Sequence, residues 1–121
     1  MGETMVIKHY AEVKPGTYSG TPAGVEMREM ITAQDGAPNF SLRVFDVQPG
    51  LSTPFHSHEW EHEVFILSGN GIVRTEGKET PFTAGDSVFI APNETHCFVA
   101  QPGAPVRFIC VVPSKNHCQR G

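Results

Sequence analysis

Hydrophobic and polar residues alternate along most of the chain, which is the pattern of half-buried β-strands. In residues 24–31, Val25 and Met27 fall on one face while Glu26 and Arg28 fall on the other. No stretch keeps the 3.6-residue period of an amphipathic helix. The pattern therefore predicts a chain built almost entirely of strands.

Glycine, proline and asparagine separate these segments, as expected for strands joined by tight turns. Gly69-Asn70-Gly71 is predicted to be a hairpin turn, and Ala84-Gly85-Asp86 and Pro92-Asn93-Glu94 are predicted turns. Strands recur about every ten residues, which predicts an all-β sandwich or barrel. The predicted strands are 24–31, 39–47, 63–67, 72–76, 87–91, 95–100 and 106–112.

The length of 121 residues allows one hydrophobic core and one domain. We expect an N-terminal arm or strand over 1–23, a barrel over 24–113 and a polar tail over 114–121.

Charge and composition exclude several classes of partner. The net charge of −4 argues against nucleic acid, and no apolar run is long enough to span a bilayer. The first ten residues lack the features of a secretory signal. The three cysteines, Cys97, Cys110 and Cys118, lack zinc-site spacing and fit a reduced compartment, so we expect a cytoplasmic protein.

Histidines are the first sign of chemistry. His56 and His58 stand two apart, so on a strand both imidazoles would point to one face. His62 has the same parity, and His96 would come from a separate strand. Imidazole is the commonest protein ligand for transition metals, although a bare His-x-His also occurs among unrelated histidines.

The spacing around these histidines is more specific. In the first stretch, five residues separate Gly50 from His56, and six separate His62 from Gly69. In the second stretch, five residues separate Gly85 from Ala91-Pro92-Asn93, and two more lie between Asn93 and His96. These two stretches resemble the two motifs of the cupin superfamily. The stretches 37–40, 56–63 and 108–113 look like the small single-domain bacterial cupins that bind manganese through four histidines. The resemblance implies a double-stranded β-helix, a jelly-roll-like barrel over about 24–113, with a metal inside held by His56, His58, His62 and His96.

Two positions depart from the superfamily pattern. Glutamate usually stands where His62 stands, and Pro-x-Gly where Ala91-Pro92-Asn93 stands; the second change is mild because Asn tolerates a left-handed turn. Glu63 is an alternative fourth ligand, since its spacing satisfies a looser form of the motif. The parity that His62 shares with His56 and His58 favours His62.

Four neutral imidazoles would leave the full 2+ charge on the metal, which would attract anions and disfavour the 3+ state. An octahedral ion would keep two positions for water, oxygen or a chelating molecule; the alternative is a closed, structural zinc site. The resemblance implies manganese, then iron, and copper, nickel or zinc also suit histidine ligands.

Three more residues are candidates for the cavity wall. Phe108 and Cys110 share parity on the last strand and could line the cavity, as the resemblance implies, although Cys110 also fits a small buried hydrophobe. Arg43 could reach inward to an anionic substrate, but a solvent-facing arginine is the commoner arrangement. Trp60 is expected at the barrel mouth or a subunit contact.

The leading functional hypothesis is a metal-dependent, dioxygenase-like oxidoreductase that acts on a small chelating oxygenated molecule. The alternatives are a redox-neutral isomerase or lyase for a sugar acid or keto acid, and a non-catalytic cupin that binds a small ligand. Phe65 and Leu67 would point away from the histidines and need a cover, so we expect a homodimer.

Overall fold

Two antiparallel sheets form the fold in the computed structural model, which describes residues 5–16 and 22–114. In this part of the chain, one sheet has five strands in the order β1-β2-β8-β3-β6, and the other has three in the order β5-β4-β7. This confirms the predicted all-β, single-domain fold. The strands are β1 (Val25–Ile31), β2 (Phe40–Val47), β3 (His62–Ser68), β4 (Asn70–Thr75), β5 (Lys78–Thr83), β6 (Ser87–Ile90), β7 (His96–Ala100) and β8 (Val106–Pro113).

Aromatic side chains join the two sheets in the core. Phe108 on β8 stacks on Phe45 of the neighbouring strand, with ring centroids 4.9 Å apart. On its other side, Phe108 meets Phe98 of β7 in the opposite sheet at 4.8 Å. Each buried aromatic removes a large apolar area from water, so this stack is a main contributor to sheet-on-sheet packing.

The predicted hairpin turn at Gly69-Asn70-Gly71 is wrong. β3 belongs to the five-stranded sheet and β4 to the three-stranded sheet, so Gly69 is the corner where the chain crosses between them. Gly69 has a φ of +89°, and a Cβ there would lie 2.3 Å from the Pro105 carbonyl oxygen. Only glycine fits that left-handed and crowded corner.

The turn at Asn93 behaves as predicted. Asn93 has a φ of 68°, the left-handed conformation that the resemblance assigns to a glycine at this position. The turn carries the chain from β6 in one sheet to β7 in the other, and β7 begins with His96.

One strand, β5, was not predicted from the sequence. Its residues are exposed except for Phe82, and it contains Pro81, which weakens any strand pattern. β5 lies at the edge of the three-stranded sheet, where a proline removes no essential ladder hydrogen bond. The remaining predicted strands agree with the structure to within two residues at their ends.

Part of the N-terminal arm, residues 5–16, lies against the five-stranded sheet. The Tyr10 ring sits between two guanidinium groups, with Arg28 Cζ 4.1 Å and Arg107 Cζ 4.2 Å from its centroid. The Tyr10 hydroxyl donates a hydrogen bond to Asp46 on β2. Residues 1–4, 17–21 and 115–121, which include most of the predicted tail, lie outside the described residues.

Candidate metal centre

His56 and His96 face each other across an isolated antiparallel bridge. The His56 amide donates to the His96 carbonyl at 3.1 Å, and the His96 amide donates back to the His56 carbonyl at 2.9 Å. Residues directly opposite in such a pair place their side chains on one face. The two imidazole centroids are 5.3 Å apart.

His58 lies in a connecting segment, so the geometry of a shared strand face does not apply to His56 and His58. The His58 carbonyl accepts a 2.7 Å hydrogen bond from the Asn93 amide, which ties the segment to the turn before β7. The His58 ring stacks on Trp60, with centroids 4.4 Å apart and planes 5° from parallel. Trp60 therefore packs directly against a candidate ligand, a contact that the sequence did not reveal.

His62 comes from the opposite sheet. It begins β3 with its side chain on the inner face, and its Nε2 lies 2.5 Å from Nε2 of His58. The His62 and His96 ring centroids are 5.1 Å apart, so the rings of both sheets meet between them.

Glu63, the alternative fourth ligand, lies on the other face of β3. Its side chain is exposed, and a hydrogen bond with Glu61 raises the pKa of the Glu63 carboxyl. The structure thus places His62 beside His58 and His96 and separates Glu63 from them. His62 is not among the three histidines whose ligand atoms form a common group. In the described part of the chain, the ligand atoms of His56, His58 and His96 all lie within 4.8 Å of one another.

Three of the rings are fixed through Nδ1. His58 Nδ1 contacts the Trp60 carbonyl at 3.1 Å, and His96 Nδ1 contacts the Glu94 carbonyl at 2.7 Å. A carbonyl only accepts, so Nδ1 carries the proton in both rings and Nε2 keeps its lone pair. His62 Nδ1 contacts the Cys110 sulfur at 2.9 Å. Partners of this kind orient metal-binding imidazoles in proteins.

Burial keeps these rings neutral at physiological pH. Burial, then the positive charge that neighbouring His58 would carry, lowers the pKa of His62 from 6.5 to about 2. Burial also lowers the pKa of His58 to about 4, and it lowers the pKa values of His56 and His96. Neutral imidazole is the form that binds metals.

Arg43 lies inside the barrel, so the solvent-facing arrangement favoured from its residue type is wrong. It shares the inner face of β2 with Phe45 and Val47, and its Nη2 donates to the Cys110 sulfur at 3.4 Å. Its positive charge contributes to the lowered pKa values of His56, His58 and His62. Arg43 alternates in step with Phe45 and Val47 on β2, which predicted an inward side chain, although its polarity argued for a solvent-facing one.

Cys110 and Phe108 both lie on the inner face of β8. Phe108 is 2% exposed and belongs to the aromatic core, whereas the Cys110 thiol touches His62. Cys110 therefore lines the histidine cluster, whereas Phe108, two positions earlier on the strand, packs between Phe45 and Phe98.

The donor set fits a divalent transition metal. The ligand atoms of His56, His58 and His96 converge, His62 lies against His58, and the group contains no carboxylate from the described residues. Soft-to-intermediate nitrogen ligands of this kind suit late first-row metals.

A family model described as "Cupin domain" matches residues 43–112 of this chain, which is more than half of its length. The chain belongs to the cupin family. The histidine cluster in a cupin supports a metal-ion cofactor in general terms.

Three cupin relatives are informative. An oxalate-binding protein of Thermotoga maritima is 30% identical over 118 residues, which cover 92% of this chain and 95% of that protein. The polyketide cyclase RemF of Streptomyces resistomycificus superposes with a TM-score of 0.82 at 36% identity, over 90% of this chain and 79% of that one. A predicted oxalate decarboxylase of Thermotoga maritima superposes with a TM-score of 0.76 at 26% identity, over 90% and 99% of the two chains.

The described residues contain two short 3₁₀ helices, Tyr10–Glu12 and Ala33–Asp35, and neither is long and apolar enough to cross a membrane.

Proposed function

We propose that this cupin holds one divalent transition metal through His56, His58, His62 and His96 and uses it to bind a small oxygenated molecule by chelation. The convergence of imidazoles from both sheets supports this proposal. Its strongest single observation is that the ligand atoms of His56, His58 and His96 all lie within 4.8 Å of one another, close enough to bind one ion.

The protein prepares the site before any ligand arrives. The carbonyls of Trp60 and Glu94 hold the rings of His58 and His96 in the tautomer that offers Nε2. Burial lowers the pKa values of His58 and His62, so a proton does not compete with a metal for their nitrogens. A metal bound there would polarise the oxygen atoms of a chelated molecule and stabilise negative charge on them.

For the metal itself we propose manganese, with iron next, because the four-histidine pattern resembles that of manganese cupins. Copper, nickel and zinc bind imidazole more tightly than manganese does, so cellular supply decides the occupant. Elemental analysis of protein purified without a tag tests this.

The leading reaction class that we propose is a dioxygenase-like oxidation, which rests on family analogy. Oxygen uptake after anaerobic mixing with diols, enols and catechols tests it. Absence of uptake with every loaded metal across that panel would reject the oxidative class.

A redox-neutral reaction is a second candidate, and the inward-facing Arg43 favours it. A guanidinium close to a metal without carboxylate ligands makes the 3+ state still less favourable. The similarity to a polyketide cyclase points in the same direction. Turnover of a sugar acid or keto acid with zinc or nickel, at a rate independent of oxygen, would identify this class.

Ligand binding without turnover is the third candidate, favoured by the similarity to an oxalate-binding protein. Mass spectrometry of a small molecule released unchanged from the purified protein would support it, and chemical conversion of that molecule by the protein would reject it.

A matched pair of variants tests the ligand set. His62→Ala should lose the metal, whereas Glu63→Ala, one residue away on the outer face, should keep it. Trp60 is the single tryptophan and stacks on His58, so its fluorescence should report metal binding directly. Retention of the metal by His62→Ala would show that His62 is not a ligand.

We further propose a cytoplasmic homodimer. Phe65 and Leu67 on the outer face of β3 are 45% and 44% exposed, and Phe89 beside them is 60% exposed. A second subunit would remove these side chains from water. Cys97 is a buried free thiol, as is common for proteins of a reducing compartment.

A further inference from the structure

Arg43 occupies a position in the barrel wall next to the candidate metal ligands. It pairs in register with Cys110, which pairs with Val64 on β3. His62 lies two positions before Val64 on the same inner face. The Cys110 sulfur lies 3.4 Å from Arg43 Nη2 and 2.9 Å from His62 Nδ1, so one atom separates the guanidinium from the imidazole.

The contacts of this guanidinium leave its charge uncompensated. Arg43 Nε is buried and has no hydrogen-bond partner among the described residues. The ion pairs found in residues 5–16 and 22–114 involve Lys8, Arg28, Arg74 and Arg107, and none involves Arg43. Its other neighbours are the Cys110 sulfur, a weak acceptor, and the Phe45 ring 5.3 Å from Cζ.

An inward-facing cation of this kind is costly unless something pairs with it. The histidines beside it supply no negative charge in either protonation state. A divalent metal would add further positive charge to the same cavity. A carboxylate of the bound molecule would supply the counter-charge and accept a hydrogen bond from the buried Nε.

We propose that Arg43 is the substrate-recognition residue of this cupin and binds the carboxylate of a small chelating acid. The proposal rests on the metal site described above and narrows its substrate to carboxylates, such as a dicarboxylate, a 2-oxo acid or a 2-hydroxy acid. The planar guanidinium fork matches a carboxylate with two parallel hydrogen bonds, and the buried Nε supplies one of its donors. Neutral diols and catechols lack the group that Arg43 needs.

Two chelators separate the role of Arg43 from that of the metal. Oxalate presents carboxylate oxygens beyond those that bind a metal, whereas acetohydroxamate chelates metals and carries no carboxylate. Calorimetric titration of manganese-loaded protein with each compound measures both affinities. Arg43→Met is the test variant, Arg43→Lys restores the charge without the fork, and Arg74→Met, an exposed arginine on the other sheet, is the matched control.

We expect Arg43→Met to weaken oxalate binding roughly tenfold to hundredfold, the effect of losing a charged hydrogen-bonded pair. Acetohydroxamate affinity should change by less than about threefold, and Arg43→Lys should recover part of the oxalate affinity. Manganese affinity of Arg43→Met, followed by Trp60 fluorescence, should be equal or higher because a like charge has been removed.

Each contrary result overturns a defined part of this account. Three results would reject the role of Arg43 and leave the metal site intact. They are equal oxalate affinity in wild type and Arg43→Met, an equal loss of affinity for both chelators in Arg43→Met, and no oxalate binding by the metal-loaded wild type. Weaker manganese binding by Arg43→Met would show that Arg43 supports the ligands instead. Failure of the wild type to bind any divalent metal would reject the proposed function itself.

Discussion

Acid should destabilise the metal-free protein well above the pH at which carboxylates titrate. His58 and His62 have an ordinary pKa of 6.5, which the fold lowers to about 4 and about 2. Between pH 6.5 and about 4 the unfolded chain therefore binds protons that the folded protein does not. Stability is complete above 6.5 and falls as the pH drops through this window.

The magnitude follows from proton linkage. Each ring that stays neutral in the folded protein lowers the free energy of unfolding by about 1.4 kcal/mol for each pH unit below its ordinary pKa, or by about 2 kcal/mol at pH 5. The two rings together give about 4 kcal/mol, which solvent near half-buried His58 reduces to about 3 kcal/mol. His56 and His96 add to the loss, since their pKa values are also lowered.

Urea unfolding of chelator-treated protein at a series of pH values, followed by far-UV circular dichroism, measures this loss. The double variant His58→Gln, His62→Gln keeps neutral polar groups in place and should show a much flatter profile between pH 7 and pH 5. A free energy of unfolding that stays constant over this range in the wild type, or a loss of equal size in the double variant, would refute the reasoning.

Three further outcomes are expected. Tyr10→Phe removes the hydrogen bond to Asp46 and those that the hydroxyl accepts from Arg28 and Arg107, and it should cost about 1.5 kcal/mol of unfolding free energy in urea titration, because the partners are charged; no change would show that the other contacts of the arm, such as the Lys8–Asp35 ion pair, are sufficient to hold it. Phe108→Ala opens the stack that joins the sheets and should cost about 3–5 kcal/mol by the same measurement, and a cost below about 1 kcal/mol would contradict its place in the core. Phe65→Ser should shift a dimer towards monomer in sedimentation velocity, whereas Thr80→Ala on the exposed face of the other sheet should not; an unchanged dimer would place the interface elsewhere.

The sequence predicted the class of fold because strand periodicity is a local property. Alternation over residues 24–31 and 39–47 was sufficient to place β1 and β2. It could not place β5, since an exposed edge strand with one buried side chain, Phe82, carries no alternation to detect. It also gave the wrong role to Gly69, because a corner between sheets and a hairpin turn use the same residue types.

The candidate site was predicted by a different route. The spacing of the histidines pointed to a common site, but the bridge that sets His56 opposite His96 joins residues forty positions apart. Strand pairing between residues so far apart in sequence depends on the whole barrel, so neither local segment shows a pattern that predicts it. The carbonyls that fix His58 and His96 belong to the backbone of Trp60 and Glu94, so no side-chain motif could have revealed them.

The position of β8 also determines when the site can form. β8 is the last strand of the described chain, yet it lies between β2 and β3 in the five-stranded sheet. Until it inserts, Arg43 on β2 and His62 on β3 have no common neighbour, because Cys110 is the residue that joins them. A nascent chain still lacking β8 on the ribosome would thus carry all four histidines but lack the Cys110 contact that positions His62.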